Sequence, residues 1–343
     1  MISLITKIWS NLINRRIQKF SKSPIITTNS LDKIQTKYFR LRSKSKVISV
    51  GNISFGGTGK TPLIIKLVQD FLPRNLKIGI VAKGYKRSEP LDLVLTQENI
   101  NHYTIRQIGD EPLMLFNRLK LPIAISEKKY IAVANLEKAM SPDIIIIDDG
   151  YQHLWIERDI DILMLDNKIL KYLGKKSFIF AREPLSSIDR ADILMLPIQQ
   201  NLTIANYLTN FPNIIHFHYE LDKINREFSF DEDRNKYIAF AGIANPQRFF
   251  NTLYEHNIDP ISKIKFPDHH NYSLNDIEKL IKIAKREKAD LITTEKDLVK
   301  IINFKSIFEK HQINLFCVYI KIEIIEKELF SQIIQEKLNA QKL

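Results

Sequence analysis

The stretch "KVISVGNISFGGTGKTP", residues 46–62, decides the fold. Residues 46–53, "KVISVGNI", are β-branched and apolar and predict a buried strand. "SFGGTGKT", residues 54–61, follows as a glycine-rich turn, and Pro62 suits the first turn of a helix running to about Leu72. Strand, glycine loop, Gly-Lys-Thr and helix together are the context of a phosphate-binding loop. Ser54 stands where the strict pattern wants glycine, and Gly56-Gly57 supply the flexible turn instead. The expected phosphate cradle is Ser54, Phe55, Gly56, Gly57, Thr58, Gly59, Lys60 and Thr61. Backbone N–H groups and the positive end of the helix dipole would bind phosphate oxygens. Lys60 would reach the β/γ-phosphates, and Thr61 would ligate Mg²⁺.

Such a metal needs a further carboxylate at the end of another strand. "IIIIDDG", residues 144–150, supplies Asp148 and Asp149 after four isoleucines. A strand that apolar has both faces covered, as in a parallel sheet. Two adjacent acids at its end repel each other unless a cation sits there. No N-K-x-D stretch for guanine is present, so the expected nucleotide is ATP.

Further strands are read at 77–82, 92–95, 121–126, 159–165 and 191–196, with a helix at 128–140. The alternation predicts a doubly wound, mostly parallel α/β domain over 38–213. Residues 21–37 read as a linker or loop. A smaller α/β domain with flanking hinge strands is expected over 214–324, where 314–324 pairs with 214–221, and a C-terminal helix over 325–343. An amphipathic helix is expected over residues 1–20, with Leu4, Ile5, Ile8, Trp9, Leu12 and Ile13 on one face and Lys7, Arg15, Arg16 and Lys19 supplying charge. That pattern suits a membrane interface, with packing on the protein's own core as the rival.

The 343 residues carry 51 Lys and Arg against 39 Asp and Glu, a formal charge of +12 that attracts anionic partners without choosing among them. Cys317 is the one cysteine, which excludes an intramolecular disulfide and fits a reducing compartment. No apolar run reaches the ~20 residues that span a bilayer.

Seven pieces resemble the tetraacyldisaccharide 4'-kinase family, the lipid A kinases of Gram-negative bacteria. They are "GGTGKTP" (56–62), "GDEP" (109–112), "DDGYQH" (148–153), "AREPL" (181–185), "FAGIANPQRFF" (240–250), "FPDHHNY" (266–272) and "TTEKDLVK" (293–300). They run in family order over about residues 45 to 300. The resemblance implies transfer of phosphate from ATP, with Mg²⁺, to the 4'-hydroxyl of a lipid disaccharide 1-phosphate, giving lipid IVA. It implies a peripheral enzyme at the cytoplasmic face of the bacterial inner membrane. The expected partners are that lipid and the membrane surface, without nucleic acid, and the chain is expected to act as a monomer. The acceptor is anionic at one end and apolar at the other, which suits a basic chain with an amphipathic helix.

By the same resemblance Asp110 is the catalytic carboxylate and His269 its partner, each on a different expected domain; His270 stays open as an alternative. Gln152 and His153 are expected to face substrate, and Arg182 to bind the substrate's 1-phosphate or a nucleotide phosphate. The family has Phe at Tyr151 and Arg at Lys83. Glu295 and Lys296 have no assigned role. Two other classes are compatible with the loop and the charge: an ATP-driven switch with a nucleic-acid-binding surface, marked by salt-dependent DNA binding, and a membrane-surface nucleotide sensor, marked by ATP binding without turnover.

Overall fold

The structure is a computed structural model that describes residues 2–54, 58–73, 75–84, 87, 89, 91–172, 181–198, 208, 211–230 and 234–340. The chain divides into two compact units, Met1–His218 with Ile322–Leu343, and Tyr219–Lys321.

The first unit opens with helix α1 (Ile2–Ser21), then strands β1 (Ile25–Thr27), β2 (Arg40–Arg42) and β3 (Lys46–Asn52). Helix α2 (Lys60–Lys66), β4 (Ile78–Ala82), β5 (Leu93–Leu95), α3 (Ile105–Ile108), α4 (Asp110–Leu119), β6 (Ile123–Ile125) and α5 (Lys129–Met140) follow. The unit continues with β7 (Ile144–Asp148), β8 (Ile160–Met164), α6 (Asn167–Tyr172), β9 (Ile193–Pro197) and the first part of β10 (Ile214–Phe228). Its main sheet has the order β10-β9-β8-β3-β7-β4-β6-β5. The pairs are parallel except β5 on β6.

Central strands β3 and β7 are apolar on both faces, and Val47, Ile48, Val50 and Ile144 to Ile147 are buried. A strand with no solvated face needs helices above and below it, which the crossovers supply. Val50 pairs with Asp148, so the two strands end level and present their following loops side by side. Ligands in such sheets bind outside the carboxyl ends of the strands where the order reverses, and β3 between β7 and β8 is such a point.

Residues 21–37, expected as a linker or loop, hold short elements within a loop. β1 pairs with β2, and a 3₁₀ turn covers Thr28–Lys33. Leu31 and Ile34 pack against the core beneath them. Phe20 adds an aromatic clamp, edge-on to Tyr38 at 5.2 Å and to Trp155 at 4.7 Å. The helix after the phosphate loop is α-helical to Lys66 and closes in a π-turn over Leu67–Phe71.

The second unit takes up β10 at Tyr219 and continues with β11 (Tyr237–Ala241), α7 (Pro246–Glu255), β12 (Ser262–Lys265), α8 (Leu274–Glu287), β13 (Asp290–Thr294), α9 (Glu295–Ile301), α10 (Lys305–His311) and β14 (Leu315–Ile324). Its strand order is β12-β11-β13-β14-β10, and the pairs from β12 to β14 are parallel. β10 is longer than the expected 214–221, reaching Phe228, and β14 lies beside it as the sequence suggested. Phe228, Phe240, Ile277, Leu291 and Phe308 build the core between sheet and helices. Helix α11 (Lys327–Asn339) returns to the first unit, where Phe330 and Ile334 are buried.

Candidate active site

The phosphate loop leaves β3 at its carboxyl end. Asn52 is fully buried, and its amide donates to Ser54 Oγ at 3.4 Å and to Thr58 Oγ1 at 3.0 Å. One side chain thus ties the two shoulders of the loop together. Ser54 is buried and bridges Ala181, so its role is to anchor the loop at its root. Phe55, Gly56 and Gly57 lie outside the described residues. Gly59 holds φ 78 at the cap of α2, a left-handed conformation that glycine adopts without penalty. Lys60 and Thr61 are the first residues of α2.

Asp148 ends β7 one strand away, and Asp149 opens the turn after it. Asp149 has φ 53, and Asp is among the few side chains tolerated there. The turn after it rests on β3: a Cβ on Gly51 would meet Tyr151 Cβ at 2.6 Å. Only glycine allows that approach. Tyr151 is buried, its hydroxyl donates to the Ser187 carbonyl, and Arg190 lies 4.5 Å over its ring. The hydroxyl that distinguishes it from phenylalanine therefore has a partner of its own.

The charges around this turn are paired. Lys60 Nζ lies 3.1 Å from Asp149 Oδ1, and Arg182 Nη1 donates to Asp149 Oδ2 at 2.6 Å. Burial alone would raise the Asp149 carboxyl, but Lys60, Lys129 and Arg182 together hold it well below the usual carboxylate range. Asp148 goes the other way. Burial, reinforced by the negative charge of Glu111, raises its carboxyl to about 6. Its Oδ1 is buried without a hydrogen-bond partner.

Lys129, which the sequence did not single out, supports the turn from beneath. It opens α5, is 1% exposed, and donates to the carbonyls of Asp148 and, at 2.8 Å, Asp149. Burial lowers its ammonium to about 8 despite the two acids. Asn52 and Lys129 carry no motif, and a lysine in a chain this rich in lysine gives no signal.

Gln152 donates its amide to the Asn52 carbonyl at 2.8 Å, which joins the "DDGYQH" turn to the root of the loop. His153 is lowered to about 2 by burial and the neighbouring Lys129, so it is neutral at physiological pH. His153, Lys129 and Trp155 line a groove of about 1470 Å³ running along α5. Lys37, Lys44, Lys46, Lys128 and Lys138 line the same groove with Leu31, Ile34 and Phe39. Asp110 begins α4, is buried, and accepts the Glu111 N–H at 2.9 Å. Lys83 is exposed, and its charge is felt at Lys129 and His153.

In the second unit the two histidines of "PDHH" have separate duties. His270 Nε2 is 3.1 Å from Asp276 Oδ2, and the ring stacks on Phe266 at 4.7 Å. Asp276 also accepts from Ser273 in the capping box of α8, so His270 belongs to that helix cap. His269 has φ 58, and its Nε2 faces Lys296 Nζ at 3.2 Å. Asp110 and His269 lie on different units.

In α1 the apolar stripe is divided. Trp9 packs against the core cluster that contains Ile53 and Tyr151, and Phe20 is buried, whereas Ile8 and Leu12 are exposed. The six residues expected on one face do not share one environment: Trp9 follows the core-packing alternative, and Ile8 and Leu12 do not. Trp9 belongs to the inward face, because successive residues stand 100° apart around a helix.

The model of the family described as LpxK, tetraacyldisaccharide-1-P 4'-kinase, matches residues 26–339. A tetraacyldisaccharide 4'-kinase of Halothermothrix orenii is 32% identical over 322 residues, covering 82% of this chain and 81% of that protein. One from Francisella tularensis subsp. holarctica is 33% identical over 326 residues, covering 88% and 95%. A crystal structure of LpxK from Aquifex aeolicus in complex with ATP superposes with a TM-score of 0.73 at 27% identity, covering 97% of each chain. Glycine loop, paired acids and these likenesses agree: the chain belongs to the tetraacyldisaccharide-1-P 4'-kinase family.

Proposed function

We infer that the carboxyl face of the first unit's sheet transfers the γ-phosphoryl group of ATP to the 4'-hydroxyl of tetraacyldisaccharide 1-phosphate, the lipid A step that gives lipid IVA. The observation that carries this reading is the gathering of Lys60, Arg182 and Lys129 around Asp148 and Asp149 at the ends of β3 and β7. Transfer of this kind is mostly positioning and charge stabilisation. Lys60 and the backbone of the glycine loop hold the phosphate chain. Arg182, released from Asp149, offers a two-pronged contact to a phosphate. Asp110 accepts the hydrogen bond of the attacking hydroxyl and takes its proton, with His269 as its partner.

The residues present fit Mg²⁺. Asp148 brings a buried oxygen without a partner, and Thr61 a hydroxyl at the start of α2. Among the described residues no three His, Cys, Asp or Glu gather into a closed cage. Mg²⁺ is usually held by one or two carboxylates with phosphate oxygens and water. When bound it would neutralise charge on the β- and γ-oxygens.

The groove along α5 supports an amphiphilic acceptor. It is larger than the ~300–1,000 Å³ of ordinary small-molecule sites, and lysines and apolar side chains both line it, with Glu127, Glu137 and Asp143 among them. Helix α1 supports residence at the membrane surface. Ile8 and Leu12 are exposed on the face that carries Arg15 and Lys19, which suits the acyl–headgroup boundary at the cytoplasmic side of the inner membrane. Among the described residues no helix is long and apolar enough to cross a membrane.

The test is single-turnover transfer from ATP to the lipid with Asp110→Asn and His269→Ala. Each variant is expected to slow transfer about a hundredfold with ATP affinity within a few-fold. Full-rate transfer by Asp110→Asn would remove it from the mechanism. Tight DNA binding that falls steeply with salt would favour the nucleic-acid switch instead.

A further inference from the structure

The first turn of α9 closes on the loop that carries His269 in two ways. Lys296 reaches the ring, with Nζ 3.2 Å from Nε2. Its neighbour Asp297 reaches the backbone: fully buried, it accepts the Gly242 N–H at 2.9 Å and the Thr294 hydroxyl at 2.8 Å, with Lys300 at 2.7 Å. The Gly242 carbonyl in turn accepts the His269 N–H at 3.2 Å. His269 is held at φ 58, a conformation that non-glycine residues keep where the surroundings over-determine it. Its side chain is 14% exposed. Asp268 Oδ2, at 3.9 Å from the same ring nitrogen, is too far to bond it.

We propose that Lys296 is a positioning residue that fixes His269 as the Nδ1–H tautomer and sets the orientation of its ring. An ammonium has three donors and no acceptor. The imidazole nitrogen facing it must therefore present a lone pair, which puts the ring proton on Nδ1. A neutral imidazole has one N–H, so Nδ1–H is the donor His269 can offer to a carboxylate. The orienting bond on one ring nitrogen decides the chemistry of the other. This assigns a task to Lys296 of "TTEKDLVK", and rests on the reading of His269 as the partner of the catalytic carboxylate.

The experiment uses the full chain with ¹⁵N-labelled histidine and long-range ¹H–¹⁵N correlation at pH 8, which separates the Nδ1–H and Nε2–H tautomers. His269 is assigned among the eight histidines by the signal lost in His269→Gln. The wild type is expected to show His269 as Nδ1–H. Lys296→Met is expected to move it toward Nε2–H and to lower kcat about tenfold or more, with the KM for ATP within twofold. Lys296→Arg, still a pure donor, should keep the tautomer and recover most of the turnover. The remaining imidazole signals report the fold of each variant. A wild-type His269 in the Nε2–H form, or an unchanged tautomer in Lys296→Met, would overturn the proposal. So would a further loss of turnover when Lys296→Met is added to His269→Gln, since Lys296 would then act elsewhere. Full turnover in His269→Gln would instead remove the histidine from the reaction and leave the tautomer assignment standing.

Discussion

Asp149 pairs with both Lys60 and Arg182, so replacing it with asparagine should tighten the binding of metal-free ATP. At 3.1 Å the Lys60–Asp149 pair would be worth about 5 kcal/mol at an effective dielectric of 20. Lys60 and Asp149 are 13% and 33% exposed, so solvent screens much of that. Pairs at the surface contribute about 0.2–1 kcal/mol, and hydrogen bonds to charged groups about 1.5–3 kcal/mol. A net 1–2 kcal/mol is about right for this intermediate case, and it must be given up before Lys60 can turn to a phosphate. The carboxylate also repels the nucleotide directly, with the same sign. Asparagine keeps the shape and tolerates φ 53, so the backbone is not strained. Calorimetric titration with ATP in EDTA should show Asp149→Asn binding about 5–30 times more tightly than wild type. Turnover with Mg²⁺ should fall sharply in the same protein. Equal or weaker binding by a folded Asp149→Asn variant would refute the pairing argument.

His270→Ala should lower the melting temperature by loosening the α8 cap, yet leave kcat within a few-fold, whereas His269→Ala should do the reverse; melting curves beside turnover separate them. Ile8→Glu with Leu12→Glu should abolish co-sedimentation with anionic vesicles without changing the melting temperature, while Trp9→Glu should lower the melting temperature itself. Glu326 accepts the His216 N–H at 2.6 Å and faces its Nδ1 at 2.8 Å; burial opposes the charge, but these contacts outweigh it and hold the carboxyl below its ordinary 4.5. Its stabilising contribution is therefore complete above pH 4.5 and lost as pH falls through the lower folded-state value. The melting-temperature gap between wild type and Glu326→Gln should shrink as the pH falls below 4.5.

Much of this arrangement was legible in residues 46–62 and 144–150, because strand, glycine turn and paired acids have to occur in a fixed order. Residues lacking such an order were not. Asn52 ties Ser54 to Thr58 from within a strand, where asparagine reads only as a weak strand former. Lys129 is one lysine among many until its burial under Asp148 and Asp149 is seen. His269 and His270 are adjacent, and no pattern separates them; φ 58 and the Asp276 cap do. In α1 the period marks an amphipathic helix but not which of its apolar residues meet the core; Trp9 does, and Ile8 and Leu12 do not. Residues 21–37 looked like a linker or loop because the pairing partner of β1, β2, is three residues long and polar at both ends.

Mass-resolved products from ATP, Mg²⁺ and tetraacyldisaccharide 1-phosphate test the central claim most directly, with wild type and Lys60→Ala run side by side. The account predicts a lipid heavier by one phosphoryl group, carried on the 4' position, from the wild type. It predicts a rate lower by about a hundredfold or more from the folded Lys60→Ala protein, about 3 kcal/mol of lost transition-state stabilisation. Equal rates from the two proteins, or no phosphorylated lipid from a wild type that binds ATP, would contradict it.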